Sequence, residues 1–298
     1  MTAAVRPRFS GHESFACRYA WLPKAVASLQ SDPEALIDDD DAMGALGLGK
    51  NMVRSLRFWL EVFDVAESQD RRWRLTDFGS AVFGADGLDP FLERAETQWL
   101  LHWKVTTQPD RPLFVWRHVF YRRHRPDFTR AELLYELQRE SRLAGFEHSD
   151  VTLRQHIDVF LHSYVSTARD GAPEDTLDGP LIDLALIRPA GRRTSEEGRL
   201  EHVYTLATRG RPPASVVEYA ILEFRRTRRS GEAVVTLHDL AYTEGAPGPT
   251  FRLIEDDLRD HVRGSSHYSF RVSGGAGALH FPEGDASAAD LQLVFGEP

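Results

Sequence analysis

Residues 47–63, GLGKNMVRSLRFWLEVF, decide how the first third of the chain folds. Gly47 and Gly49 allow a tight turn. After it, Met52, Val53, Leu56, Trp59, Leu60 and Phe63 recur at three- and four-residue spacing, which predicts a helix over Asn51–Phe63 with one buried stripe. Lys50, Arg54 and Arg57 fall on the opposite face, with Asn51 and Ser55 beside them. Upstream, Asp38–Asp41 suits the start of a short second helix, because carboxylates favour helix N-termini. Arg18–Leu29 reads as a first helix with Trp21, Leu22, Ala25, Val26 and Leu29 inward. Downstream, residues 63–67 and Arg72–Leu75 can pair as a hairpin across Ser68–Arg71, and Thr76 can cap a closing helix. The order is helix, helix, turn, helix, basic-tipped hairpin, which is that of a winged helix-turn-helix. A helix bearing Lys50, Asn51, Arg54 and Arg57 fits the roughly 12 Å major groove of duplex DNA. Arg71 and Arg72 at the hairpin tip can neutralise phosphates. The same fold could instead dock on a protein.

The rest of the chain predicts two further domains. A helical middle region over 108–209 follows a connecting helix, Glu93–Val105, with further helices at Pro112–Arg125, Thr129–Arg142 and Thr152–Tyr164. Its segment Arg111–Arg130, which includes Arg122 and Arg123, interleaves arginines with Phe114, Trp116, Phe120, Tyr121 and Phe128. That pattern suits either a backbone-tracking, base-stacking surface or an aromatic core edged by solvated arginines. Over 210–298, helices at Val216–Arg226, Thr236–Tyr242 and Pro249–Val262 and strands at Tyr268–Val272 and Ala278–Phe281 outline a winged-helix-like C-terminal domain. Its third helix carries Glu255, Asp256, Asp257 and Asp260, which repel phosphate, so protein contact or a homodimer is expected there. The fold class is α+β, mainly helical, in domains 1–107, 108–209 and 210–298. Turn-rich breaks at Gln108–Pro112, Asp170–Pro180, Pro189–Gly198 and Gly210–Pro213 separate the elements.

Composition sets bounds on function. The 298-residue chain is 42% hydrophobic and 27% charged, with a net charge of −9. Acid gathers at Asp38–Asp41, Glu174–Asp178 and Glu255–Asp257, and base at Arg54 and Arg57, Arg71–Arg74, Arg111–Arg130 and Arg225–Arg229. An acidic body with basic patches predicts selective rather than indiscriminate nucleic-acid binding. No apolar run approaches the roughly 18 residues of a membrane span, and the N-terminus lacks an apolar signal core, so a cytoplasmic protein is expected. The single cysteine, Cys17, excludes an internal disulfide framework and a Cys-based zinc site. Residues 44–51, GALGLGKN, nearly spell a phosphate-binding loop. They follow aspartates instead of a buried strand, and they end in Asn51 instead of a hydroxyl.

Candidate chemistry is sparse. His12 and Glu13, adjacent in GHESF, can supply a ligand or a proton acceptor, or simply cap the first helix. Asp158 and His162 are four apart on one helix and could share a divalent ion, with His156 nearby. Glu174 and Asp175 form a carboxylate pair in a turn-rich loop and could complete a magnesium or manganese site with Asp158. The catalytic candidates are His12, Glu13 and Asp158.

FSGHESF at 9–15, RYAWL at 18–22 and LGLGKNMV at 46–53 together resemble the SspB family of the Ssp DNA phosphorothioation system. TQWLLH at 97–102, Asp158–Tyr164 and the Glu174–Asp175 run leading into Leu181–Ile187 keep the same order over nearly the whole chain. The resemblance implies a DNA-nicking factor that opens one strand so that partners can exchange a non-bridging phosphate oxygen for sulfur. The implied partners are a cysteine desulfurase, an ATP-pyrophosphatase-like sulfur transferase and an ATPase. Cys17 is a departure, since the family does not rely on cysteine there, and a small buried residue is the plainer expectation. A non-catalytic DNA-binding scaffold is the alternative.

Overall fold

Helix α3, Lys50–Val62, forms where the apolar spacing places it, and Val53, Leu56, Trp59 and Leu60 are fully buried along one side. In the computed structural model it follows α1 (Trp21–Ser31) and α2 (Asp39–Leu46), from which Gly47 turns the chain at φ 65. The structure describes residues 7–70, 72–145, 148–166, 179–195, 197–282 and 290–296. Asp38 caps α2 by accepting from the amides of Asp40 and Asp41, leaving the side chain of Asp39 free to turn elsewhere. Strands β1 (Ala66–Gln69) and β2 (Arg72–Leu75) pair antiparallel after α3, and Thr76 caps α4 (Asp77–Phe83) by accepting from the Gly79 amide at 2.9 Å.

Gly79 marks the tightest junction of this region. A Cβ there would stand 1.9 Å from the Val65 carbonyl oxygen, a backbone atom that cannot swing aside. We expect Gly79→Ala to destabilise the fold by about 3 kcal/mol, the upper range for overpacking, read as a fall in melting temperature.

The chain divides into two compact units, Met1–Ala207 and Thr208–Pro298. In the first, α5 (Ala95–Thr107) is the central helix, with every residue from Thr97 to Thr106 buried. Pro112–Arg125 is not one helix. It is the short α6 (Phe114–Arg117) running into a π-helical turn, His118–Arg122. Pro126 disfavours helical backbone at the residue before it, and a strand follows. α7 (Arg130–Leu143) opens on a capping box between Thr129 and Glu132, and α8 (Asp150–Tyr164) on Ser149.

The middle region also contains a sheet that the helical reading omits. β3 (Asp127–Thr129), β5 (Leu200–Leu206) and β4 (Ile187–Thr194) pair antiparallel in the order β3-β5-β4. The Pro189–Gly198 stretch, expected as a break, is mostly β4. Proline is tolerated because β4 lies at the sheet edge and is bulged between Pro189 and Arg192. Trp59, Phe63, Trp116, Phe120, Phe160 and Tyr164 form the aromatic core of this unit, all at most 2% exposed.

The second unit contains α9 (Ala214–Arg228), β6 (Val234–Thr236), α10 (Leu237–Tyr242), α11 (Pro247–Phe251), α12 (Glu255–His261), β7 (Ser269–Ser273), β8 (Ala276–His280) and α13 (Leu291–Phe295). Its sheet order is β6-β8-β7. The single helix expected over Pro249–Val262 is two, because Arg252 turns the backbone at φ 60 and Asp257 caps a new start by accepting from the Ile254 amide. The described residues form a mixed α/β fold with more helix than strand and small antiparallel sheets.

Candidate functional site

Helix α3 carries its cations on the side away from the core, and one carboxylate organises them. Asp39 accepts from Arg54 at 2.8 and 3.1 Å and from Arg57 at 2.5 Å, with Lys50 Nζ at 3.5 Å. Hydrogen bonds from Arg57 and then Arg54 hold the Asp39 carboxyl down to about 2, so it stays ionised. The three cations are not equivalent. The side chains of Lys50 and Arg54 are 54% and 46% exposed, whereas that of Arg57 is 17% exposed and also donates to the carbonyls of Asp38 and Ile37. Arg57 therefore ties α2 to α3, and Lys50, Asn51 and Arg54 form the accessible face. Asp39 is the residue that sequence reasoning missed. Four adjacent aspartates give no sign of which one turns inward until the Asp38 cap fixes the first turn.

At the hairpin, Arg72 meets Glu34 at 3.3 Å with both side chains more than 60% exposed, a pair of little energetic consequence. Arg71 lies outside the described residues. Gly44 sits inside α2, so residues 44–51 form no phosphate-binding loop.

The Arg111–Arg130 segment resolves in favour of a core. Phe114, Trp116, Phe120 and Phe128 are buried, so no stacking platform faces water. Arg122 meets Glu140 at 2.5 Å. The Arg123 side chain is 4% exposed and bonded to Glu136, which withdraws it from the DNA-contacting set expected from sequence. His118 lies between these acids, with Nδ1 2.6 Å from Glu140 and Nε2 2.9 Å from Glu136.

Burial alone would lower the His118 pKa, but hydrogen bonds to the two glutamates raise it above 6.5, and their own values fall. The imidazolium contribution is complete below the unfolded pKa and fades as pH rises through the raised one. The carboxylate contribution fades as pH falls through the lowered ones. The cluster thus stabilises most between about pH 4.5 and 6.5. The melting-temperature gap between wild type and His118→Asn should narrow as pH climbs from about 6 to about 9.

The catalytic candidates do not meet. His12 is 4% exposed, with Nε2 3.2 Å from His156 Nδ1, and its Nδ1 accepts from the Ser14 amide. Burial holds His12 neutral, its pKa pushed down to about 4, and burial lowers His156 as well. Glu13 is exposed at φ 46. Asp158 is two residues from His156 and so on the other side of α8, where it accepts from Arg130 Nε at 2.8 Å. Glu174 and Asp175 lie outside the described residues. Among the described residues no group of three His, Cys, Asp or Glu side chains can hold a metal ion, so the residues there do not by themselves fit one. Cys17 is buried, and burial raises its thiol pKa far above the ordinary value, as suits an inert packing residue. No described helix is long and apolar enough to cross a membrane.

The family described as "Protein of unknown function (DUF4007)" matches residues 9–290. A search of curated proteins gives no match. A magnesium ion-bound SspB crystal structure is similar at a TM-score of 0.79 and 28% identity over 91% of this chain and 82% of that one. A second SspB crystal structure is similar at a TM-score of 0.78, with the same identity and coverage. The chain belongs to the DUF4007 family and has an SspB-like fold over nearly its whole length.

Proposed function

We propose that this protein docks on duplex DNA and nicks one strand in support of phosphorothioate modification of the backbone. In this reading residues 1–107 are a winged helix-turn-helix, 108–209 a middle domain and 210–298 a winged-helix-like domain. The observation that carries it is the exposed face of α3, where Lys50, Asn51 and Arg54 project from a helix whose other side is fully packed. Arg72 and Arg71 of the β1–β2 hairpin would grip phosphates flanking the groove. The likeness to SspB supports a place in a phosphorothioation system with other components; in this reading they are a cysteine desulfurase, an ATP-pyrophosphatase-like sulfur transferase and an ATPase. The magnesium of the SspB neighbour supports a divalent ion in this reading, which Asp158 would hold together with Glu174 and Asp175. A homodimer through the acidic α12 belongs to the same reading, and sedimentation equilibrium tests it.

A non-catalytic DNA-binding scaffold is the second reading, favoured by the separation of His12 and Glu13 from Asp158. Relaxation of supercoiled plasmid, with and without magnesium, separates the two. Conversion to open circle that chelator abolishes supports the nickase. Binding without relaxation supports the scaffold.

A further inference from the structure

Away from α3, the first unit holds a tyrosine hydroxyl in the arrangement expected of a nucleophile. Tyr19, in the turn before α1, donates its phenol proton to Asp183 Oδ2 at 2.7 Å and accepts from Gln98 Nε2 at 2.8 Å. Gln98 lies on the central helix α5 and is 8% exposed, so its amide is fixed in direction. Asp183 is exposed, and the Tyr19–Asp183 bond faces solvent. The segment leading to Asp183 is held close to Tyr19. A Cβ on Gly179 would stand 2.6 Å from the Cys17 carbonyl oxygen, so the two backbones are in contact there. The three residues are far apart in sequence, by 79 positions from Tyr19 to Gln98 and 164 from Tyr19 to Asp183. Each comes from a different one of the phrases 18–22, 97–102 and 181–187.

We infer that Tyr19 is the nucleophile of strand nicking, an assignment that rests on the nickase reading above. An amide donor on the phenol oxygen stabilises negative charge as it develops, and a carboxylate in hydrogen-bond reach can take the proton. Tyr19 Oη attacks phosphorus, forming an O–P bond as the bond from phosphorus to the neighbouring sugar oxygen breaks. The phenol proton passes to Asp183, and the departing alkoxide takes a proton from water. No oxidant or reductant is needed. The phosphodiester energy is kept in a phosphotyrosyl bond, so the freed sugar hydroxyl can later reverse the attack and reseal the strand. That reversibility suits modification of a backbone that must end intact. Asp183 is the proton acceptor, and Gln98 positions the phenol.

The test incubates the full chain with end-labelled duplex and with supercoiled plasmid, quenches in SDS, and maps adducts by mass spectrometry. Wild type should form an SDS-stable DNA adduct on the tryptic peptide 19–24. Tyr19→Phe should lose the adduct and slow nicking at least about a thousandfold, with duplex affinity unchanged and only a small fall in melting temperature from the unpaired Gln98 amide. Asp183→Asn should slow it about a hundredfold and shift the pH–rate profile. If wild type nicks without an adduct, or Tyr19→Phe nicks normally, the tyrosine assignment falls while the nickase reading stands. If wild type neither nicks nor forms an adduct, both fall. The wild-type adduct is read without any variant, so a poorly folded variant does not blunt the test.

Discussion

Replacing Lys50 and Arg54 together by alanine is expected to weaken duplex binding by roughly ten- to a hundredfold, since one base-reading arginine contributes about 1 to 3 kcal/mol. The log–log salt slope should also flatten, by about 0.9 for each phosphate contact removed. Both side chains are about half exposed, so the melting temperature should hardly move. Arg57→Ala is a different experiment. It removes the contacts to Asp39 and to the carbonyls of Asp38 and Ile37, and it should loosen α2 from α3 before it alters any DNA contact. Fluorescence anisotropy over a salt series, paired with thermal melts, separates the two. Unchanged affinity and slope in the double variant would discard α3 as the docking helix.

Trp59→Ala is expected to cost about 3 to 5 kcal/mol, the range for emptying a buried tryptophan site. Trp59 is fully buried, its ring 5.1 Å from Phe58, 5.2 Å from Phe63 and 6.1 Å from Trp116. Its Nε1 donates to the Phe15 carbonyl at 3.0 Å, beside Ser55 Oγ at 3.2 Å. The variant therefore opens a cavity and also slackens the strap of residues 9–15 across α3. Against a typical total stability of about 5 to 15 kcal/mol, that loss should be plain in the urea midpoint. Trp59→Phe should recover most of the packing and leave the Phe15 carbonyl to Ser55. A midpoint unmoved by Trp59→Ala would mean that α3 is not packed as described.

What the sequence made legible was local. The stripe from Val53 to Leu60, the Asp38 cap and the Thr76 and Thr129 helix starts depend on neighbours a few residues away, and spacing alone exposes them. The pairing of Asp127–Thr129 with Val203–Thr205 joins segments more than seventy residues apart, and nothing in either short stretch announces its partner. Pro189 and Gly191 disguised a strand as a break, because an edge strand tolerates residues that a central one does not. The arginine–aromatic segment was ambiguous for the same reason. Its aromatics went inward and Arg122 and Arg123 found Glu140 and Glu136 on α7, acids that lie outside the segment. Likewise His12 reads as reactive in isolation, and only the fold sets His156 against it and takes both out of water. Tyr19, Gln98 and Asp183 lie in three separate stretches of the chain, and no spacing within any one of them announces their meeting, which is entirely tertiary.

Photocrosslinking tests the docking claim most directly. A duplex carrying 5-iodouracil in its major groove is irradiated with the protein, and the attached peptide is sequenced. Attachment is expected within residues 50–54 of α3, lost when Lys50 and Arg54 are alanine. Crosslinks that fall only elsewhere, with α3 unmarked, would contradict the docking claim.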